Sequence, residues 1–167
     1  MRNFFYPLVG NPYRNSDINK AINVLKSKKL TIGPQTDKFE KIFTKKLKSN
    51  FSLMVNSGSS ANLLALFCVV NPLRKKRLKR GDECLVPAIC WSTTLWPIIQ
   101  AGLTPKVVDV NINNFSLDLD TIKKNVTKKT KAIMIVNVLG NCAELDEIRQ
   151  YADKKKIVLI EDNCESL

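Results

Sequence analysis

The residues with the clearest chemical content lie near the C-terminus. The apolar run IVLI, 157–160, leads directly into Glu161 and Asp162, and Glu165 follows three positions later. A carboxylate ending a buried strand is costly to desolvate unless something offsets its charge. No Lys or Arg close to Asp162 in the sequence offers that partner. A protonated pyridine nitrogen would serve, and the carboxylate would in turn keep the ring protonated and able to accept electrons. Glu161 is adjacent on an extended strand, so its side chain is expected on the opposite face, paired with a helix lysine or in water.

Two further stretches fit the same chemistry. In VNSGSSANLLAL, small residues stand where a strand turns into a helix. Consecutive backbone N–H groups, the hydroxyls of Ser57, Ser59 and Ser60, and a Gly58 without a side chain suit a phosphate at a helix N-terminus. The same residues also suit a plain helix cap. The stretch is neither a G-x-G-x-x-G fingerprint nor a nucleotide-triphosphate loop, since no Lys follows the glycine. In PAICWSTTLW, Trp91 either stacks on a planar ring or fills the core, and Trp96 is expected to pack. Phosphate cradle, flat aromatic and pyridinium partner together describe a site for pyridoxal 5′-phosphate or its amine form.

Other chemistries are excluded by composition. The chain has no histidine, so no Ser-His or Cys-His nucleophile exists within these residues. The cysteines number 5, an odd count with no C-x-x-C pair. They read as free thiols, mostly buried, with Cys68 and Cys84 as small core hydrophobes. No metal site is expected. The 27 basic and 15 acidic residues give +12. Only RKKRLKR, 74–80, is dense, and no aromatics are interleaved with it to stack on bases, so solvated faces explain the charge better than nucleic acid does.

The elements that must position these residues follow from periodicity. Ile18, Ala21, Ile22 and Leu25 recur at helical spacing after a capping Ser16, and Phe39, Ile42, Phe43 and Leu47 mark a second helix. Strands are predicted at FSLMVN, ECLVP, PKVVDV, KAIMIVNVLG and IVLIED. Helices are predicted from ANLLALFCVV, from Ser92 to Ala101, at SLDLDTIKKNV with a cap at Ser116 or Asp118, and at ELDEIRQYADKKK. From residue 52 on, apolar strands alternate with helices, which is the pattern of a parallel sheet covered on both faces. NSGSS, PAICWSTT and EDNCES then all fall at strand carboxyl ends, where such sheets bind ligands. The N-terminal MRNFFYPLVG is broken by Pro7 and lacks a signal peptide's features, and no run is long enough to span a membrane. A single cytoplasmic domain is the expectation.

The motifs NPYRNSDINKAINVLKSKKLTIGPQTDKFE, NSGSSANLLAL, GDECLVPAICWSTT and LIEDNCESL resemble the sugar aminotransferase family named after DegT, DnrJ, EryC1 and StrS, over nearly the whole chain. The resemblance implies an aspartate-aminotransferase-like α/β fold with a mostly parallel sheet. Residues 1–167 would be an incomplete large domain, with a helical segment 1–50 and an α/β core 51–167. It implies that Ser57, Gly58 and Ser59 hold the cofactor phosphate, that Trp91 stacks on the ring, that Asp162 pairs with the pyridine nitrogen, and that Glu165 lies near the ring hydroxyl. It implies a homodimer acting on a nucleotide-linked sugar.

NSGSSANL, Asn137 in VNVLG, and EDNCES depart from the usual NSGTAAL, VHLYG and EDAAQA. They are similar to the branch of 3-dehydrases acting on CDP-4-dehydro-6-deoxyglucose, which uses pyridoxamine 5′-phosphate. There the cofactor amine condenses with the sugar's C4 ketone, a histidine takes a proton, and the C3 hydroxyl leaves. Some members depend on an iron–sulfur reductase. An aminotransferase with a lysine base is the alternative, and a non-catalytic cofactor-binding fragment is a second. The His or Lys is expected some twenty residues past Leu167, so the chain reads as a fragment, inactive and poorly soluble by itself.

Overall fold

The computed structural model describes Gly10 and residues 12–166. The apolar N-terminal stretch interrupted by Pro7 lies outside the described residues. The chain divides into two compact units, Met1–Met54 and Val55–Leu167.

The first unit carries helices α1 (Asn15–Ser27) and α2 (Pro34–Leu47). Helix α1 starts earlier than the Ser16 cap implies. Arg14 is the N-cap, and its N–H donates to Asp17 Oδ2 at 3.1 Å. An acidic side chain in the first turn satisfies the helix start in place of the serine hydroxyl. Gly33 and Pro34 open α2, with proline at the first helical position where its missing N–H costs nothing. Phe39 and Phe43, one turn apart, stack with ring centroids 5.4 Å apart.

The second unit is the α/β core. In chain order it runs α3 (Gly58–Val70), β1 (Glu83–Pro87), α4 (Ser92–Gln100), β2 (Thr104–Val108), α5 (Leu119–Asn125), β3 (Thr130–Val136), a 3₁₀ turn (Val138–Gly140), α6 (Leu145–Lys155) and β4 (Val158–Asp162). The sheet has four strands in the order β2-β1-β3-β4, and every pairing is parallel. Alternate strand residues feed two apolar layers. Leu85, Ile133 and Ile135 pack with Leu117, Ile122 and Ile148 on the α5 and α6 side. Cys84, Val86, Ala132 and Met134 pack with Leu66, Val69 and Ile98 on the α3 and α4 side. Both faces are therefore covered, which is why the strands read as unbroken apolar runs. The basic loop 74–80 is pinned at Leu78, which is buried in the second layer.

Helix α4 joins β1 to β2 on one face of the sheet, while α5 and α6 lie on the other. The chain thus changes direction between β1 and β3, and in open α/β sheets ligands bind at the strand carboxyl ends beside such a point. Two predicted strands are corrected. Residues 51–56 form no strand, because none of the described strands pairs with them and an isolated extended segment has no ladder to stabilise it. The third core strand stops at Val136 and does not continue to Gly140. Leu139 and Gly140 take φ of 53° and 77°, which turns the chain out of the sheet. Asp118, not Ser116, caps α5, accepting from Thr121 N–H at 2.7 Å. Ser116 instead donates its hydroxyl to the Val136 carbonyl at 3.1 Å.

Candidate active site at the carboxyl ends of the strands

Asp162 is the last residue of β4 and is only 6% exposed. Its Oδ2 accepts from Asn62 Nδ2 and from Thr94 Oγ1, each at 2.8 Å. Its Oδ1 accepts from the Cys164 N–H at 3.2 Å. Burial pushes this carboxyl up, but the hydrogen bonds from Asn62, Thr94 and Cys164 outweigh it and hold Asp162 below the usual carboxylate range. It is a buried anion supported by neutral donors, with no ion pair to a cation among the described residues. Burial, then the charge of Asp162, raises the Cys90 thiol; burial, then a hydrogen bond to Asp162 and that charge, raises Cys164 to about 11. Both are therefore neutral at physiological pH.

Glu161 points the other way and pairs with Arg149 of α6 at 2.8 Å. The opposite-face assignment holds, with an arginine as the helix partner. Glu165 is exposed, and its Oε2 accepts from the Leu139 N–H at 2.5 Å. It is thereby tied to the turn after β3. Asn137 links the same two strand ends. Buried, it donates through Nδ2 to Asn163 Oδ1 at 2.5 Å and accepts from the Ala143 N–H at 3.3 Å.

Ser57 is the N-cap of α3, its Oγ accepting from Ser60 N–H at 3.2 Å. The N–H groups of Gly58 and Ser59, in the first turn, have no acceptor within the helix, and Ser57, Gly58 and Ser59 are all exposed. A Cβ added at Gly58 would come into ordinary contact with Cys164 Cβ, at 4.0 Å, so this N-terminus lies beside the 162–165 turn. Gly58 needs no left-handed backbone, so what a side chain there would take away is room. Trp91 is the N-cap residue of α4 and is 74% exposed. Trp96, expected to pack, is 55% exposed as well. The cysteines also differ from expectation. All are free, but Cys68, Cys142 and Cys164 are exposed, and only Cys84 is buried, its thiol raised to about 12 by burial and then by Glu83.

Sequence reasoning missed Asn62 and Thr94. Each lies one turn beyond a recognised motif residue, Asn62 past Gly58 and Thr94 past Trp91, and a polar residue inside an apolar helix was the available signal. Among the described residues no group of three or more His, Cys, Asp or Glu side chains could hold a metal, and no helix is long and apolar enough to cross a membrane.

The model of the DegT/DnrJ/EryC1/StrS aminotransferase family matches residues 12–167. The chain belongs to this family. It is similar to a GDP-4-keto-6-deoxy-D-mannose 3-dehydratase of Escherichia coli, 43% identical over 162 residues, which cover 97% of this chain and 42% of that protein. The Yersinia pseudotuberculosis 3-dehydratase of the same name is 40% identical over 97% of this chain and 41% of its own length. The solved structure of the E. coli GDP-4-keto-6-deoxy-D-mannose-3-dehydratase with bound hydrated PLP superposes with a TM-score of 0.90 at 42% identity, over 98% of this chain and 42% of that one. This chain thus spans well under half the length of these relatives. It shares their aspartate-aminotransferase-like α/β fold, with a parallel sheet flanked by helices.

Proposed function

We propose that this chain is the cofactor-binding part of a nucleotide-sugar 3-dehydrase that works with pyridoxamine and pyridoxal 5′-phosphate. Asp162 carries the proposal. A buried carboxylate held ionised by neutral donors fits a cationic ring nitrogen, and an exposed helix N-terminus lies beside its turn. In this reading residues 1–167 belong to one large domain, the helical segment 1–50 leading into the α/β core 51–167.

The residues present fit the cofactor part by part. Ser57, Gly58 and Ser59 offer hydroxyls and N–H groups to the phosphate. Trp91 offers a face to the ring. Asp162 would hold a proton on the pyridine nitrogen, and Glu165 would bind the ring hydroxyl. When bound, the protonated ring supplies an electron sink for the carbon that loses a proton. The chain's own part is to keep that sink charged, clamp the phosphate and fix the ring plane. The chain has no histidine to serve as the dehydrase base.

The similar 3-dehydratases favour loss of the C3 hydroxyl from a nucleotide-linked 4-keto-6-deoxyhexose, in deoxysugar assembly for cell-surface polysaccharide. Those relatives are GDP-4-keto-6-deoxy-D-mannose 3-dehydratases, whereas the motif departures point to a CDP-linked sugar, so both are substrates to test. The family description favours the second reading, an aminotransferase. We further propose a cytoplasmic homodimer, with a reductase or glutamate restoring the amine. The test is to purify the full-length protein, measure pyridoxamine 5′-phosphate retained through gel filtration, and follow both sugars by mass spectrometry. A product lacking the C3 oxygen supports the dehydrase; a product with an amine at C4 identifies the aminotransferase; no retained cofactor defeats both.

A further inference from the structure

Asp162 Oδ2 accepts two short hydrogen bonds, from Asn62 and Thr94, whereas Oδ1 accepts one longer bond from the Cys164 N–H. Two donors satisfy the acceptor positions of Oδ2, and Oδ1 keeps acceptor capacity. The donors come from different helices. Asn62 lies on α3, one turn past the exposed Ser57–Ser59 N-terminus, and Thr94 lies on α4, one turn past Trp91. Thr94 is fully buried and Asn62 nearly so. Asn62 Nδ2 also reaches the Thr93 carbonyl at 3.4 Å, which joins the two helices directly.

We propose that Asn62 and Thr94 are positioning residues that lock Oδ2 of Asp162 and leave Oδ1 to receive the N–H of a cationic ring, so that the anion is held in register with both the α3 N-terminus and Trp91. This inference rests on the cofactor reading above and deepens it. Neither side chain touches the ligand; both act through the carboxylate. A hydrogen bond to a charged group is worth more than a neutral one, and its loss frees the carboxylate to rotate.

The test is a mutant cycle in the full-length protein, with pyridoxamine 5′-phosphate affinity read by equilibrium dialysis and folding read by a thermal melt. Thr94→Val is expected to weaken binding about tenfold, and Thr94→Ser, which keeps the hydroxyl, to stay within about twofold of the parent. In an Asp162→Asn background the effect of Thr94→Val should shrink to less than about twofold, because the anion it acts through is gone. Asn62→Ala run through the same cycle decides the matter if Thr94→Val does not fold. Equal losses in both backgrounds, or no loss from either donor variant while Asp162→Asn binds weakly, overturn the positioning roles and leave the cofactor site standing. Unchanged affinity in Asp162→Asn overturns the cofactor reading itself, and the positioning roles fall with it.

Discussion

Two carboxylates adjacent in sequence have opposite surroundings. Glu161 meets Arg149 on the surface side, and Asp162 meets only neutral donors inside. Asp162→Asn in the full-length enzyme is therefore expected to cut turnover by ~100-fold or more, which corresponds to roughly 2.7 kcal/mol of lost transition-state stabilisation. Glu161→Gln should be mild, since exposed ion pairs contribute little. Glu165→Gln should fall between the two, because it weakens the tie to the Leu139 N–H. Turnover of all three with a nucleotide-linked 4-keto-6-deoxysugar checks this ranking, and greatest sensitivity at Glu161 would refute the assignment. Gly58→Val tests the cradle. A Cβ there meets only Cys164 Cβ, at 4.0 Å and without a clash, so the melt should hold while cofactor affinity falls. Ser52→Ala, which loses only the contact with Thr44 Oγ1, should leave affinity unchanged in the same dialysis measurement.

At the scale of elements, the strand ends are held together by polar side chains. Asn137 joins the end of β3 to Asn163 beyond β4 and satisfies the Ala143 N–H. Asn137→Ala leaves the buried Ala143 N–H unpaired and should cost about 1–3 kcal/mol in a denaturant melt. Asp118 caps α5, and Asp118→Ala should cost about 1 kcal/mol. Its carboxyl sits below the usual range because of hydrogen bonds from Thr121, backbone first. The sign follows: the cap's contribution is complete above about pH 4, the ordinary carboxylate value, and is lost as pH falls through the lower folded value. The stability gap between the parent and Asp118→Ala should therefore close in acid, which paired melts across pH would register.

At the scale of the whole molecule, apolar side chains stand in water. Helix α3 is apolar on nearly all sides, yet Leu63, Leu64 and Phe67 are partly open to solvent at 36%, 39% and 47%. Trp96 and Ile99 of α4 are exposed as well. A helix apolar all round is built for an interior, and apolar patches of this kind promote association. The 167-residue chain produced by itself should bind a hydrophobic dye and elute from gel filtration as aggregates. A dye-silent monomer with one sharp melt would contradict this.

Much of this architecture was open to reading in the sequence because its signals are local. Unbroken apolar runs between amphipathic helices mark a parallel sheet covered on both faces, and small residues ahead of an apolar helix mark an open helix start. Extended-chain geometry alone sends Glu161 and Asp162 to opposite faces. What depends on distant partners was not legible. Residues 51–56 have strand composition, but none of the described strands pairs with them. A requirement for an offset to the buried charge of Asp162 was readable; that Asn62 and Thr94 help to meet it was not. They lie 100 and 68 positions away in the chain, and only the packing of α3 and α4 against the end of β4 brings their donors to one oxygen.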